Sequence, residues 1–350
     1  MTGRHAPAAP RSILVYVGLD LVGDGLMKLP FVRALRQAFP AASIVWLAGK
    51  GPSAYSGTLA PLVEGLIDEV VDDAGVGAGW NEMLDPLKGT SLHGRTFDLV
   101  IDTQRRVKTT LILKRIPHRV FISGAAGYLL SNRRPPFGHR RPTAMIRQML
   151  DLLELASGQP AVPTVTRTID RTADDLARTL LDDGRAIYVG LVPGAGGKHK
   201  CWPLDRFIDL GSRIAGRGQT PVYLLGPGES EWADTIRSSI PSAVLPLQDP
   251  RAGALGTSPL LTIALAARFT AAVANDSGGG HMLAAADIPL LSLFGPTPPA
   301  KFAPFVTRGA VLRAQDFGGG EMSNIPLQAV DDALELLLAE SRPDPNRGCR

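Results

Sequence analysis

Residues 270–297 read "TAAVANDSGGGHMLAAADIPLLSLFGPT". An apolar run ends at Asn275; an acid, a hydroxyl, three glycines and a histidine follow, then an alanine-rich helical stretch and a second apolar run. Short continuous apolar runs flanking a helix pattern are what a buried parallel sheet requires, because helices cover both of its faces. The same alternation recurs on either side. In the second half, "AIYVGLVPG" (186–194) and "PVYLLGPGE" (221–229) precede this unit, each strand feeding a loop and then a helix. In the first half, "ILVYVGL" (13–19), "SIVWLAG" (43–49), "FDLVID" (97–102) and "RVFIS" (119–123) alternate with helical patterns. One of these, "FVRALRQAF" (31–39), sets Val32, Leu35 and Phe39 on one face, with Pro30 at a tolerated first-turn position.

Between the halves, "ASGQPAVPTVTRT" (156–168) has prolines and small polar residues but no periodicity, as a linker or hinge would. The expected organisation is a flexible tail over 1–11, a first Rossmann-like domain over 12–160, a second over 161–325, and a terminal segment over 326–350. In that segment "LQAVDDALELLLAE" (327–340) is an amphipathic helix expected to pack across the junction. The fold class is therefore α/β, two doubly wound domains facing a central cleft, with ligands at the carboxyl ends of the strands.

Composition narrows the function. At 350 residues and 45% hydrophobic, the chain suits two compact soluble domains, and its 38 glycines and 29 prolines are scattered without a period. A formal charge of +4 favours anionic ligands or an anionic membrane surface but is too diffuse to indicate nucleic acid. Cys201 and Cys349 are the two cysteines, too few for a disulfide framework or a cysteine metal site. The start, "MTGRHAPAAPR", lacks a signal-peptide core, and no apolar run of about 18 residues appears. The expectation is a cytoplasmic protein that at most touches a membrane peripherally.

Neither "VPGAGGKHK" nor "GLDLVGDG" has the spacing of a P-loop or a dinucleotide fingerprint, and no metal-ligand motif is present. No cofactor and no metal are expected. In "NDSGGGHMLAAA" (275–286), Ser277 to His281 fall at a helix amino terminus, which is an anion site. Gly278, Gly279 and Gly280 let a diphosphate approach the backbone N–H groups, while Ser277 and His281 can donate hydrogen bonds; a plain capped helix reads the same residues equally well. Lys200, in "GGKHKCWPLDRF", can neutralise a phosphate, with Lys198 its rival and a solvated loop lysine the plainer alternative. Glu229 and Glu231, in "GPGESE", can accept ribose hydroxyls or simply begin a helix. Asp24, in "GLDLVGDGLMKLP", is a candidate general base or a helix cap, and Asp20 competes with it. In "SNRRPPFGHRRP" (131–142), Arg133, Arg134, Arg140 and Arg141 form either solvated surface or, if they converge, a dock for an anionic acceptor or for anionic head groups.

Four of these segments, in this order, resemble glycosyltransferase family 9, the bacterial ADP-heptose:lipopolysaccharide heptosyltransferases. They are "DLVGDGLMKLPFVRALRQAFP", "VPGAGGKHKCWPLDRF", "LLGPGESE" and "NDSGGGHMLAAADIPLLSLFGPTPP". The resemblance implies a GT-B fold, a nucleotide-sugar donor on the second domain, an anionic glycolipid or saccharide acceptor on the first, and inversion without a required metal. On that resemblance Asp24 matches the catalytic base, Lys200 the lysine that meets donor phosphate and Glu229 the acid near the ribose. Asp276, Ser277, Gly278, Gly279 and His281 match the nucleotide-sugar motif. The sequence departs from the family pattern at Cys201, Gly280 and Pro298, and lacks an arginine near Gly18. A nucleotide-sugar epimerase and a non-catalytic nucleotide-sugar binding protein are the alternatives.

Overall fold

The computed structural model describes residues 9–76, 84–164, 168–181 and 186–341. Cys349, most of the expected amino-terminal tail, part of the linker and the residues after 341 lie outside them. The chain divides into two compact units, Met1–Thr164 and Val165–Arg350.

The first unit is a five-stranded parallel sheet in the order β3-β2-β1-β4-β5. Its strands are β1 (Ser12–Leu19), β2 (Ser43–Lys50), β3 (Glu69–Val71), β4 (Phe97–Asp102) and β5 (His118–Ser123). The apolar runs are buried on both faces because the pleat sends alternate residues to opposite sides. Leu14, Tyr16, Val45, Leu47 and Val100 pack with Ile112 and Leu113 of the helix Val107–Leu113. Ile13, Val15 and Val17, pointing the other way, are equally buried. Strand β3 escapes the sequence reading because it is three half-buried residues at the sheet edge.

The helix after β1 corrects one expectation. It runs Val22–Ala38, so Pro30 lies inside it and not in a first turn. The helix therefore begins at "VGDG", which puts Asp24 in its first turn, and Leu21 at the cap supplies no side-chain hydrogen bond.

The second unit repeats the architecture in the order β10-β9-β8-β6-β7, again parallel throughout. Its strands are β6 (Tyr188–Val192), β7 (Thr220–Tyr223), β8 (Ala271–Asn275), β9 (Leu290–Phe294) and β10 (Gly309–Arg313). Phe207, Leu210 and Ile214 of the helix Leu204–Gly216 share a core with Val189, Leu191, Val273 and Leu291. The terminal helix Leu327–Ser341 was expected across the junction; its Val330, Leu334, Leu337 and Leu338 are buried in this second core. Two doubly wound parallel units in tandem constitute the GT-B class of fold. Among the described residues no helix is long and apolar enough to cross a membrane.

Candidate functional site

Each sheet has one point where the chain reverses direction along the strand order, and there the loops diverge to leave a crevice. In the second unit that point lies between β6 and β8. The loops after these strands are tied together: Asn275, at the end of β8, donates through Nδ2 to the Pro193 carbonyl at 2.7 Å, and its Oδ1 accepts from Trp202 N at 3.1 Å. Trp202 is buried, stacks edge-on against Phe207 and donates through Nε1 to the Ile325 carbonyl at 2.9 Å. The tryptophan thus anchors the loop that carries Lys200 to the hydrophobic core. Neither Asn275 nor Trp202 figured among the expected site residues; a strand-end asparagine and a loop tryptophan carry no chemistry of their own and act by position.

The helix after β8 spans Gly278–Ala285 with Ser277 at its cap, where Ser277 Oγ accepts from Gly280 N at 3.5 Å. Its end opens on a cavity of about 210 Å³ walled by Gly194, Gly226, Glu229, Ser277, Gly278 and Gly279 among others. The glycines there are not equivalent. A Cβ on Gly279 would stand 2.5 Å from Val192 Cγ1, so packing demands glycine, whereas a Cβ on Gly278 meets nothing within 4 Å. A Cβ on Gly280 would come 3.3 Å from the Asn275 carbonyl, a tight fit. Glu229 is tucked against two further glycines, for a Cβ on Gly194 or Gly226 would lie 2.5 or 2.7 Å from its carboxyl group. Glu231 is exposed and does not line this cavity.

Lys200 Nζ donates to Asp276 Oδ2 at 2.9 Å, and Thr297 Oγ1 donates to the same oxygen at 2.5 Å. Asp276 therefore holds Lys200 beside the Ser277 helix end instead of facing the cavity. His281 is buried, 9% exposed, and is not among the cavity walls. Burial, with Glu229 nearby, pushes the Cys201 thiol above its ordinary range. The end of the second sheet so presents open backbone at Gly278, a helix terminus, a cation and a carboxylate, a set suited to a diphosphate and a sugar hydroxyl.

The first unit separates the two competing aspartates. Asp20 is fully buried and accepts from Trp46 Nε1 at 2.9 Å, from Ser53 Oγ at 2.6 Å and from Lys28 Nζ. Both of its oxygens are committed to holding the loops after β1 and β2. Asp24 is half-buried and makes no hydrogen bond or ion pair among the described residues.

The four loop arginines do not act as one patch. Arg133 Nη1 donates to the carbonyls of Leu155 and Ala156 at 3.0 and 2.7 Å, closing the last turn of the helix Met145–Ser157, a structural use. It lines a different cavity, at the opening ends of β4 and β5, together with Asp98 and Arg119. Arg140 is exposed, and Arg134 and Arg141 line a polar cavity with Arg105, a residue the sequence reading did not single out.

The profile of glycosyltransferase family 9 (heptosyltransferase) matches residues 88–321. Lipopolysaccharide heptosyltransferase 3 of Escherichia coli is 25% identical over 94% of this chain and 98% of its own length. A glycosyl transferase family 9 structure from Veillonella parvula superposes with a TM-score of 0.70 at 19% identity, covering 94% of this chain and 98% of that one. An Escherichia coli heptosyltransferase solved with ADP-2-deoxy-2-fluoro heptose gives 0.63 at 22% identity, covering 93% and 99%. Since the family profile spans about two thirds of the sequence, the chain belongs to glycosyltransferase family 9.

Proposed function

We propose that the protein transfers heptose, or a related sugar, from a nucleotide sugar onto a lipopolysaccharide core or another surface saccharide, with inversion and with ADP-heptose as the favoured donor. The observation that carries this reading is the cavity at the end of the second sheet, walled by open glycine backbone, the Ser277 helix terminus and Glu229, with the Lys200–Asp276 pair beside that terminus. The donor's diphosphate lies against Ser277, Gly278 and Gly279, and Glu229 accepts ribose hydroxyls. Asp24 removes the proton from an acceptor hydroxyl as its oxygen bonds to the anomeric carbon. The bond from that carbon to the diphosphate breaks, and the leaving nucleoside diphosphate keeps the electron pair. Lys200 and the helix end offset the charge that develops there, an arrangement fixed before reaction. His281 serves from behind the helix end, as a buried support of that turn.

Asp24 is favoured over Asp20 as base because its carboxylate is unpartnered, while that of Asp20 is buried and fully used. Removing a general base lowers turnover by about 10²- to 10⁴-fold. Asp24→Asn should therefore abolish transfer while ADP still raises the melting temperature; parental transfer rates in that variant would reject the mechanism. A thermal-shift panel of ADP, UDP and GDP tests the donor, and a preference for UDP would reject the heptose assignment. Incubation with donor alone separates transfer from epimerisation. Peripheral contact with the cytoplasmic face of an anionic membrane belongs to the same reading: exposed Leu129 and fully exposed Phe137 lie in the same stretch of the first unit as the exposed Arg134 and Arg140.

A further inference from the structure

Arg105, on the loop after β4, sits in a place built for it. Its Nε and Nη2 donate to the Gly124 carbonyl at 3.2 and 3.0 Å, and its Nη1 donates to Gln148 Oε1 at 3.1 Å. The guanidinium carbon lies 5.6 Å from the centre of the Tyr128 ring. A Cβ at position 124 would stand 3.0 Å from the guanidinium group, so glycine there admits it. From the other side Arg141 donates through Nε and Nη2 to the same Gln148 oxygen, at 3.1 and 2.8 Å. Two guanidinium groups thus meet on one neutral oxygen, and neither enters an ion pair among the described residues. Like charges brought together without a counter-charge repel one another, and an anion between them relieves that repulsion.

The surroundings are consistent with a site and not a chance approach. Arg134, hydrogen-bonded through Nη2 to the Leu129 carbonyl at 3.2 Å, adds a third cation to the wall of a cavity of about 560 Å³. The turn under it is strained: Ala126 and Tyr128 both hold left-handed backbone, at φ 47° and 68°, which non-glycine residues adopt only when their surroundings enforce it. That conformation keeps the Tyr128 ring beneath Arg105 and edge-on to His139. Asp151, the carboxylate that acts on Tyr128, is itself tied to Arg147 at 3.0 Å and His139 at 3.1 Å.

We infer that Arg105, Arg141 and Arg134 form a binding site for a phosphate monoester or carboxylate, which the two guanidinium groups grip together at the mouth of the Gly124–Tyr128 turn. Arg141 Nη1 makes no hydrogen bond among the described residues and is free to join that grip. Only the owner of the anion rests on the proposed function: on that reading it is a charged group of the acceptor saccharide.

Inorganic phosphate is the first probe, titrated calorimetrically in the presence of saturating ADP so that the second unit's diphosphate site is already filled. Phosphate should bind the parent protein, and Arg105→Gln with Arg141→Gln should weaken it at least tenfold. Gln148→Glu should do the same by placing a carboxylate between the arginines, with its melting temperature read alongside because it gives up the Nε2 donations to the Pro142 and Thr143 carbonyls. Arg140→Gln should leave binding unchanged. Undiminished phosphate binding in both Gln148→Glu and the double variant would overturn the site, whether or not the protein transfers sugar.

The source of the anion is read from two further arms. With a phosphorylated or carboxylated acceptor, the double variant should raise the acceptor KM at least tenfold and leave kcat nearly unchanged; an acceptor stripped of its charged groups should show no such difference. Cosedimentation with phosphatidylcholine vesicles, with and without phosphatidylglycerol, should not depend on Arg105. If the double variant lost vesicle binding but kept the acceptor KM, the acceptor assignment would be overturned in favour of a lipid head group.

Discussion

Asp102 shows how one residue's burial becomes a property of the protein. It ends β4, is fully buried, and accepts from Thr110 Oγ1 at 2.6 Å, Ser123 Oγ at 2.8 Å and Gln104 N at 2.9 Å, so it fixes the loop that presents Gln104 and Arg105. Burial outweighs these donors and lifts its carboxyl to about 6. The unfolded chain releases this proton near pH 4, the folded chain near 6, so between those values the folded state holds more protons and stability falls as pH rises. About two pH units correspond to roughly 3 kcal/mol, present below pH 4 and lost above pH 6. Asp102→Asn should flatten that fall, gaining on the parent between pH 4 and 6 in urea titrations; an unchanged difference across the range would show that the carboxyl is not its source. The helix-end glycines give a second contrast. Gly279→Ala should lower stability by about 1–3 kcal/mol, because its methyl collides with Val192. Gly278→Ala should melt like the parent yet weaken ADP binding, since its methyl enters the cavity; calorimetry with ADP reads both.

At the scale of elements, the helix Val22–Ala38 combines the proposed base, Asp24, with a local fault. Pro30 inside it cannot donate to the Leu26 carbonyl, and proline there opposes helix formation by up to about 3 kcal/mol. The sequence pattern from Phe31 onward has the helical period, but "VGDGLMKLP" hides the first half: two glycines and a proline argue for a loop, and packing overrides them. Gly25, Leu26 and Leu29 are buried, and Tyr55 Oη donates to the Gly25 carbonyl at 2.7 Å, which pins the early turns. Pro30→Ala should therefore raise the melting temperature and leave ADP binding unaltered. A lowered melting temperature would mean that the surrounding core is shaped to a kink.

For the whole molecule, two parallel sheets with different strand orders and unequal loops divide the work on the proposed reading. The second sheet carries the glycine-lined cavity at its β6/β8 reversal, and the first carries Asp24 after β1 and Arg105 after β4, on either side of its own β1/β4 reversal. Gly18 and Gln104 meet across that first reversal, where a Cβ on Gly18 would lie 3.2 Å from the Gln104 amide. Hydrogen exchange should then show ADP protecting the loops at 193–201, 226–229 and 277–282 while the amides of β1, β4 and β5 exchange as before. Equal protection of the first sheet would place the nucleotide elsewhere.

The sequence by itself determined the doubled parallel sheets, the helix that starts beside Ser277 and the loops from which the chemistry is offered. Those features follow from local periodicity, glycine and capping, which a chain carries wherever it folds. The family resemblance already favoured Asp24 and Glu229; only the tertiary structure buried Asp20 among its donors, gave Asp276 to Lys200, set Glu229 in the cavity wall, and tied Arg133 of the cationic loop to the end of a helix. It alone brought Arg105 to Arg141, 36 residues away in sequence. Each of these distinctions depends on which partner a charged side chain reaches across strands or loops far apart in the chain, and charge and spacing along the sequence contain no term for that.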